Sequence, residues 1–166
     1  SLDFLQSVRD VDALVAVIRA FESETVPSYS GLQPYNDFND LQQELLLADW
    51  TLLETRLERL AKQKAKNPKA GEELALLEKC RATLEQDLPL RQLDLSADEE
   101  KLLRNYDFFT RKPLIAVVNL DEQQMRGGSY PQQAELEGEL ARVNVPLIKV
   151  SAQIEAEISE LEPEDA

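Results

Sequence analysis

The chain has 166 residues and a net charge of −14, with 32 acids against 18 bases, no histidine, one cysteine, and no apolar run near the ~20 residues a membrane span needs. Without histidine there is no imidazole base and no Ser-His or Cys-His nucleophile pair, and one cysteine builds neither a thiolate zinc site nor an internal disulfide. The acid excess opposes wholesale nucleic-acid binding, which works through Lys and Arg displacing counterions. The length suits one domain as a starting point. Ser1-Leu2-Asp3-Phe4 carries no basic n-region or signal-like apolar stretch, so the chain reads as cytoplasmic, with no membrane association and with Cys80 a small buried apolar residue in a reducing compartment.

In chain order, residues 13–18 form a continuous apolar run, Ala13-Leu14-Val15-Ala16-Val17-Ile18, the texture of a parallel strand covered on both faces. Residues 22–36, with Pro27, Gly31 and Pro34, read as an irregular connection. From Asp37 to Lys66 the apolar residues recur at three- and four-residue steps: Leu46, Trp50, Leu53, Leu57 and Leu60, with Leu41, Leu45, Ala48 and Leu52 beside them. This predicts one helix roughly 40 to 45 Å long, too long for a crossover lying flat on a small sheet. Asn67-Pro68-Lys69-Ala70-Gly71 breaks it, and Leu74, Leu77, Leu84 and Leu88 mark a second helix before Pro89, making an antiparallel hairpin. Ser96-Ala97-Asp98-Glu99 is a capping box for a further helix to about Asp107.

Residues 113–118 are a second apolar strand ending at Asn119, and residues 146–150 a third ending at Ser151. A helix is predicted near 130–142, opened by Ser129 and Pro131, and another from Ile154 to about Leu161. Alternating strands and helices imply an α/β fold with a parallel sheet, and ligands of such sheets bind beyond the carboxyl ends of the strands. The charges are segregated. Arg56, Arg59, Lys62, Lys64, Lys66 and Lys69 face only Glu58 between residues 56 and 69, a local charge of +5 at the hairpin tip, whereas the last dozen residues hold six acids and no base.

Asn119-Leu120-Asp121-Glu122 at a strand end has chemical content. Guanine-reading sites place Asn-Lys-x-Asp there: the Asn bonds the purine N7 edge and the Asp accepts from guanine N1 and N2. With Glu122 in place of that Asp, the main reason to reject adenine is gone. By itself the motif is also the turn chemistry that ends a strand. Together, Val117-Val118-Asn119-Leu120-Asp121-Glu122 and Val150-Ser151-Ala152-Gln153-Ile154-Glu155-Ala156-Glu157 resemble the base-reading motifs of the YchF-type, Obg-like ATPase family within the P-loop GTPase superfamily. The stretch from Asp12 to Glu22 resembles the strand after that family's second switch, and Glu44-Leu45-Leu46-Leu47-Ala48-Asp49 with Glu54-x-Arg56-Leu57 resembles its first long hairpin helix.

The resemblance implies that Asn119 contacts the adenine edge, Leu120 packs on or beside the ring, Glu122 replaces the guanine reader, and Ser151 with Ala152 supplies the loop under the base. Gln153 departs from the family's Ser-Ala-Lys. It implies a partial parallel sheet of a P-loop GTPase-like domain formed by residues 1–36 and 107–166, with 37–106 as the inserted helical hairpin. ATP or GTP with Mg would be the cofactor of the intact protein, and a ribosomal or RNA surface the partner of the basic tip.

None of the five glycines opens a G-x-x-x-x-G-K-[ST] loop, and no Asp-x-x-Gly is present. The phosphate cradle and metal loop of the family mechanism are therefore missing from these residues. The expectation is a segment that starts after the second switch, stops before the C-terminal β-grasp-like domain, holds no nucleotide tightly and does not hydrolyse it alone. The rival reading is a stand-alone helical-hairpin adaptor without nucleotide binding.

Overall fold

A computed structural model describes residues 5, 7–23, 27, 31–63 and 70–160. They form two compact units, one of residues 1–14 and 41–113 and one of 15–40 and 114–166.

The second unit carries a three-stranded parallel sheet, β1 (Leu14–Arg19), β2 (Leu114–Asn119) and β3 (Leu147–Val150), in the order β1-β2-β3. β2 pairs with β3 in parallel register from Ala116 opposite Leu147 to Asn119 opposite Val150. β1 is tied to β2 at both ends, by Leu14 N–H to the Pro113 carbonyl (2.8 Å) and Ala20 N–H to the Asn119 carbonyl (3.0 Å). One face supplies the core: Ala16, Ile18, Ala20, Ala116, Val118 and Leu120 are buried, as are Leu136, Leu140, Val143 and Val145.

The other face corrects the sequence reading of β1. Val15 is 59% exposed and Val17 72%, so this strand is buried on one face only; among the described residues of its unit no element covers the second. A continuous apolar run states that a strand tolerates burial on both faces, but not which elements provide it. β3 likewise leaves Ile148 49% exposed.

Helix α1 runs Pro34–Gln63. It starts three residues before the predicted Asp37, because proline suits the first helical position, where its fixed φ is helical and its missing N–H is not needed. α2 is Ala70–Leu84. Leu46, Leu53, Leu57 and Leu60 of α1 share a core with Ala70, Leu76, Leu77, Cys80 and Leu84 of α2. Glu54 pairs with Arg81 at 3.4 Å, and the Arg81 guanidinium lies 5.7 Å over the Trp50 ring. The antiparallel hairpin is thus held by the stripe the periodicity picked out. α2 ends before Leu88: Asp87 takes a left-handed φ of 54°, and Leu88 N–H reaches back to the Thr83 carbonyl, the closure that satisfies a helix's last carbonyls. α3 (Ala97–Leu103) has the expected capping box of Ser96 and Glu99 and is shorter than its predicted run to Asp107.

The midpoint of α1 also holds a buried carboxylate. Asp49, fully buried, accepts from Phe109 N–H (2.8 Å), Thr110 N–H (2.8 Å) and Thr110 Oγ1 (2.7 Å). Thr110 Oγ1 in turn accepts from Leu90 N–H at 3.0 Å. This network fixes the turn that leads into β2. Burial pushes the Asp49 carboxyl above its ordinary range, while the Thr110 and Phe109 hydrogen bonds and the positive charge of Arg9 pull it back.

Among its described residues the second unit also holds α4 (Glu122–Met125), α5 (Gln133–Arg142) and α6 (Ala152–Glu160). α4 was not visible in the periodicity, being a single turn. α5 starts three residues later than predicted because Gln132 takes a left-handed φ of 55°, which the helix interior cannot contain.

Candidate nucleotide-base site

The residues singled out at the two strand ends come together at the carboxyl edge of the sheet. The parallel register places Asn119 opposite Val150, so the two loops leave the sheet side by side. Ala152 N–H donates to Asn119 Oδ1 at 3.1 Å, and Leu120 N–H donates to the Val150 carbonyl at 2.8 Å. A backbone N–H can only donate, so the atom facing Ala152 is the carboxamide oxygen. Asn119 Nδ2 has no acceptor among the described residues, and the side chain therefore presents a donor at the sheet edge.

Ser151 is buried, and its Oγ accepts from Ile154 N–H at 3.4 Å at the start of α6. The cap begins the helix two residues before the predicted Ile154. Ala152 is exposed, and Gln153, also exposed, donates through Nε2 to Glu157 at 3.2 Å.

The rest of the Asn-x-x-Glu segment divides by strand alternation. Leu120 follows the core face of β2 and is only 2% exposed. It lines a cavity of about 320 Å³ with Gln124, Met125, Gly127, Gly128, Tyr130, Gln133 and Lys149. Glu122 is exposed, stands first in α4 and is ion-paired with Arg126 one helical turn on. Gly128 lies against the preceding backbone: a Cβ there would sit 3.0 Å from the Gln123 carbonyl oxygen, so a side chain would press on the turn. Behind the loop, Tyr130 donates to Glu137 at 3.0 Å and Lys149 pairs with Glu137 at 3.2 Å. Burial, then Glu137, push the Tyr130 hydroxyl above its ordinary range.

Sequence reasoning missed Gln124. Asp121 and Gln124 form a reciprocal cap on α4, Gln124 N–H to Asp121 Oδ1 (2.8 Å) and Asp121 N–H to Gln124 Oε1 (2.9 Å). The Asp-x-x-Gln spacing was a usable signal for that cap. No sequence signal announces the third bond, from Gln124 Nε2 to the Ala20 carbonyl at 2.8 Å.

The basic residues of the hairpin separate. Arg56 is half-buried with its guanidinium 5.3 Å over the Tyr106 ring, whereas Arg59 and Lys62 are exposed near the end of α1. Lys64, Lys66 and Lys69 lie outside the described residues. Among the described residues no cluster of three or more acidic, His or Cys side chains could hold a metal ion, and no helix is long and apolar enough to cross a membrane.

A parallel sheet at whose carboxyl edge the loops of Asn119 and Ser151-Ala152 meet, interrupted by an antiparallel helical hairpin between β1 and β2, is the arrangement of a P-loop GTPase-like domain. The comparisons with known proteins agree. The chain is 35% identical over 167 residues to the ribosome-binding ATPase YchF of Bacillus subtilis, covering 98% of this chain and 45% of that protein. It is 36% identical over 165 residues to the YchF of Escherichia coli O157:H7, with the same coverage. The solved structure of the Schizosaccharomyces pombe YchF GTPase superposes on 98% of this chain and 46% of its own with a TM-score of 0.86 at 27% identity. No protein-family model matches the chain. The chain belongs to the YchF-type, Obg-like family of the P-loop GTPase superfamily, and it spans a little under half the length of the curated relatives it matches.

Proposed function

We propose that this chain is the base-recognition part of a YchF-type nucleotide-binding ATPase, with residues 1–36 and 107–166 belonging to the nucleotide-binding domain and 37–106 to its inserted hairpin. The observation that carries the reading is the Asn119 Oδ1 to Ala152 N–H bond, which links the two motif loops and leaves a carboxamide donor for a purine N7. An adenine ring there would take that donor on its N7 edge, with Ser151 and Ala152 forming the loop beneath it. Glu122, already paired with Arg126, offers no carboxylate dedicated to guanine N1 and N2, which favours ATP over GTP. Leu120 would support the ring as part of the loop floor. The phosphates and their Mg would be held by groups outside this segment, since no residue here supplies a glycine-rich cradle.

The curated relatives are named ribosome-binding ATPases, and exposed Arg59 and Lys62 with Lys64, Lys66 and Lys69 supply the matching charge for a ribosomal or RNA surface. The test of the base site exchanges this segment for the matching one of the Bacillus subtilis protein, so that a P-loop is present. Asn119→Ala should weaken ATP binding about ten-fold, the loss of one charge-independent hydrogen bond and its loop brace, and Glu122→Asp should raise the GTP to ATP affinity ratio. An unchanged ratio together with unchanged ATP affinity sinks the assignment.

A further inference from the structure

We propose that Gln124 is a positioning residue for the base loop, tying it to the end of β1; the inference rests on the base-site reading above. Every polar atom of its side chain is engaged. Oε1 accepts from Asp121 N–H at 2.9 Å, and Nε2 donates to the Ala20 carbonyl at 2.8 Å. Ala20 is fully buried, and its own N–H donates to the Asn119 carbonyl at 3.0 Å. The hydrogen bonds Ala20 to Asn119, Gln124 to Ala20 and Asp121 to Gln124, closed by the backbone from Asn119 to Asp121, thus form a ring at the base of the loop. Capping α4 needs only the acceptor Oε1, which a glutamate would supply equally well. The donor Nε2 is what distinguishes glutamine here, and it serves the Ala20 carbonyl, which lies past the last residue of β1 and would otherwise be a buried acceptor without a partner.

The consequence is mechanical. Asn119 is held on its side chain by Ala152 N–H and on its backbone carbonyl by Ala20 N–H, and Gln124 locks that second contact to the turn bearing Asp121 and Glu122. A displacement of the β1 end is carried into the loop that presents the Asn119 donor. Loops that must place a donor to within about half an ångström need this kind of support.

The test uses the whole 166-residue chain, labelled with ¹⁵N, and ATP at roughly millimolar concentrations, where weak binding is visible as chemical-shift change. Three variants are compared: Gln124→Met removes both side-chain bonds, Gln124→Glu keeps the cap and removes only the donor to Ala20, and Val143→Ala is a core control elsewhere in the same unit. Both Gln124 variants should speed hydrogen exchange of the Ala152 amide and weaken ATP-induced shifts at Asn119 and Ala152 by about three-fold or more, the cost of one buried hydrogen bond. Val143→Ala should lower Tm at least as much and leave both readouts as in the wild type. A Gln124→Glu variant with wild-type Ala152 exchange overturns the positioning role whether or not nucleotide binds, and so does a Val143→Ala variant with the same losses. Absence of any ATP response at Asn119 and Ala152 in the wild-type chain overturns the base-site reading instead, and the exchange data then still decide the role of Gln124.

Discussion

Replacing Asp49 by alanine removes the acceptor for three buried donors at once. Two of them, the N–H groups of Phe109 and Thr110, are backbone donors with no alternative: Asp49 is fully buried and both bonds are 2.8 Å. Each orphaned buried donor costs about 1–3 kcal/mol, so the pair amounts to roughly 4 kcal/mol. Removing the carboxyl also removes its own burial cost, which offsets part of this and leaves a net loss of roughly 3 kcal/mol. Thr110 Oγ1 keeps its bond from Leu90 N–H and adds little. Asp49→Asn retains one acceptor and turns an amide donor toward another donor, so it should lose almost as much. Trp50 is the only tryptophan and adjoins Asp49 in α1, so its fluorescence during urea unfolding reports this unit. With a urea slope near 2 kcal/mol per molar, the midpoint should fall by about 1.5 M. A midpoint shift below about 0.3 M at unchanged slope would show that the turn at residues 109–111 is held by its apolar packing and not by the carboxylate.

The Glu99 carboxyl is held below its ordinary range by the Ser96 N–H bond and by Lys79, so its contribution is present above about pH 4.5 and is lost as pH falls through the depressed value. The stability difference between wild type and Glu99→Gln should therefore be flat above about pH 5 and shrink toward pH 3; a difference that grows on acidification contradicts the assignment. Cys80, fully buried, has its thiol pushed up to about 11 by burial. At pH 8 only about one part in a thousand is thiolate, and thiol reagents should label the native chain only as fast as it unfolds. Lys62, Lys64 and Lys66 changed to Glu should abolish co-sedimentation of the chain with ribosomes at low salt. Arg56→Ala should act on stability, through Tyr106, more than on association; persistence of binding in the triple variant makes the tip a solvated surface. On the proposed reading, calorimetry should find no micromolar ATP affinity in this chain, because its residues include no glycine-rich phosphate cradle, the source of the strongest contacts in such sites.

Much of this protein was legible before its structure. Three apolar runs located three strands to within a residue or two, because β-branched and aliphatic clusters bounded by polar residues have few other uses. The leucine stripe from Leu46 to Leu60 predicted both the length of α1 and the face that meets α2, since a 3.6-residue period is a direct image of one buried helix face. The Ser96 to Glu99 cap and the Asn119 and Ser151 strand ends were likewise local, each written within a few residues. Tertiary structure alone decided what depends on residues far apart in the chain. It exposed Val15 and Val17, whose burial depends on what covers them, and sent Leu120 into the core while Asn119 met Ala152, 33 positions away. It joined Asp49 to Phe109 and Thr110, and Gln124 to Ala20. A hydrogen bond between distant residues has no periodicity to betray it, because its geometry is fixed by where the sheet register and the helix packing leave an unpaired N–H or carbonyl, and that is settled only when the chain has folded.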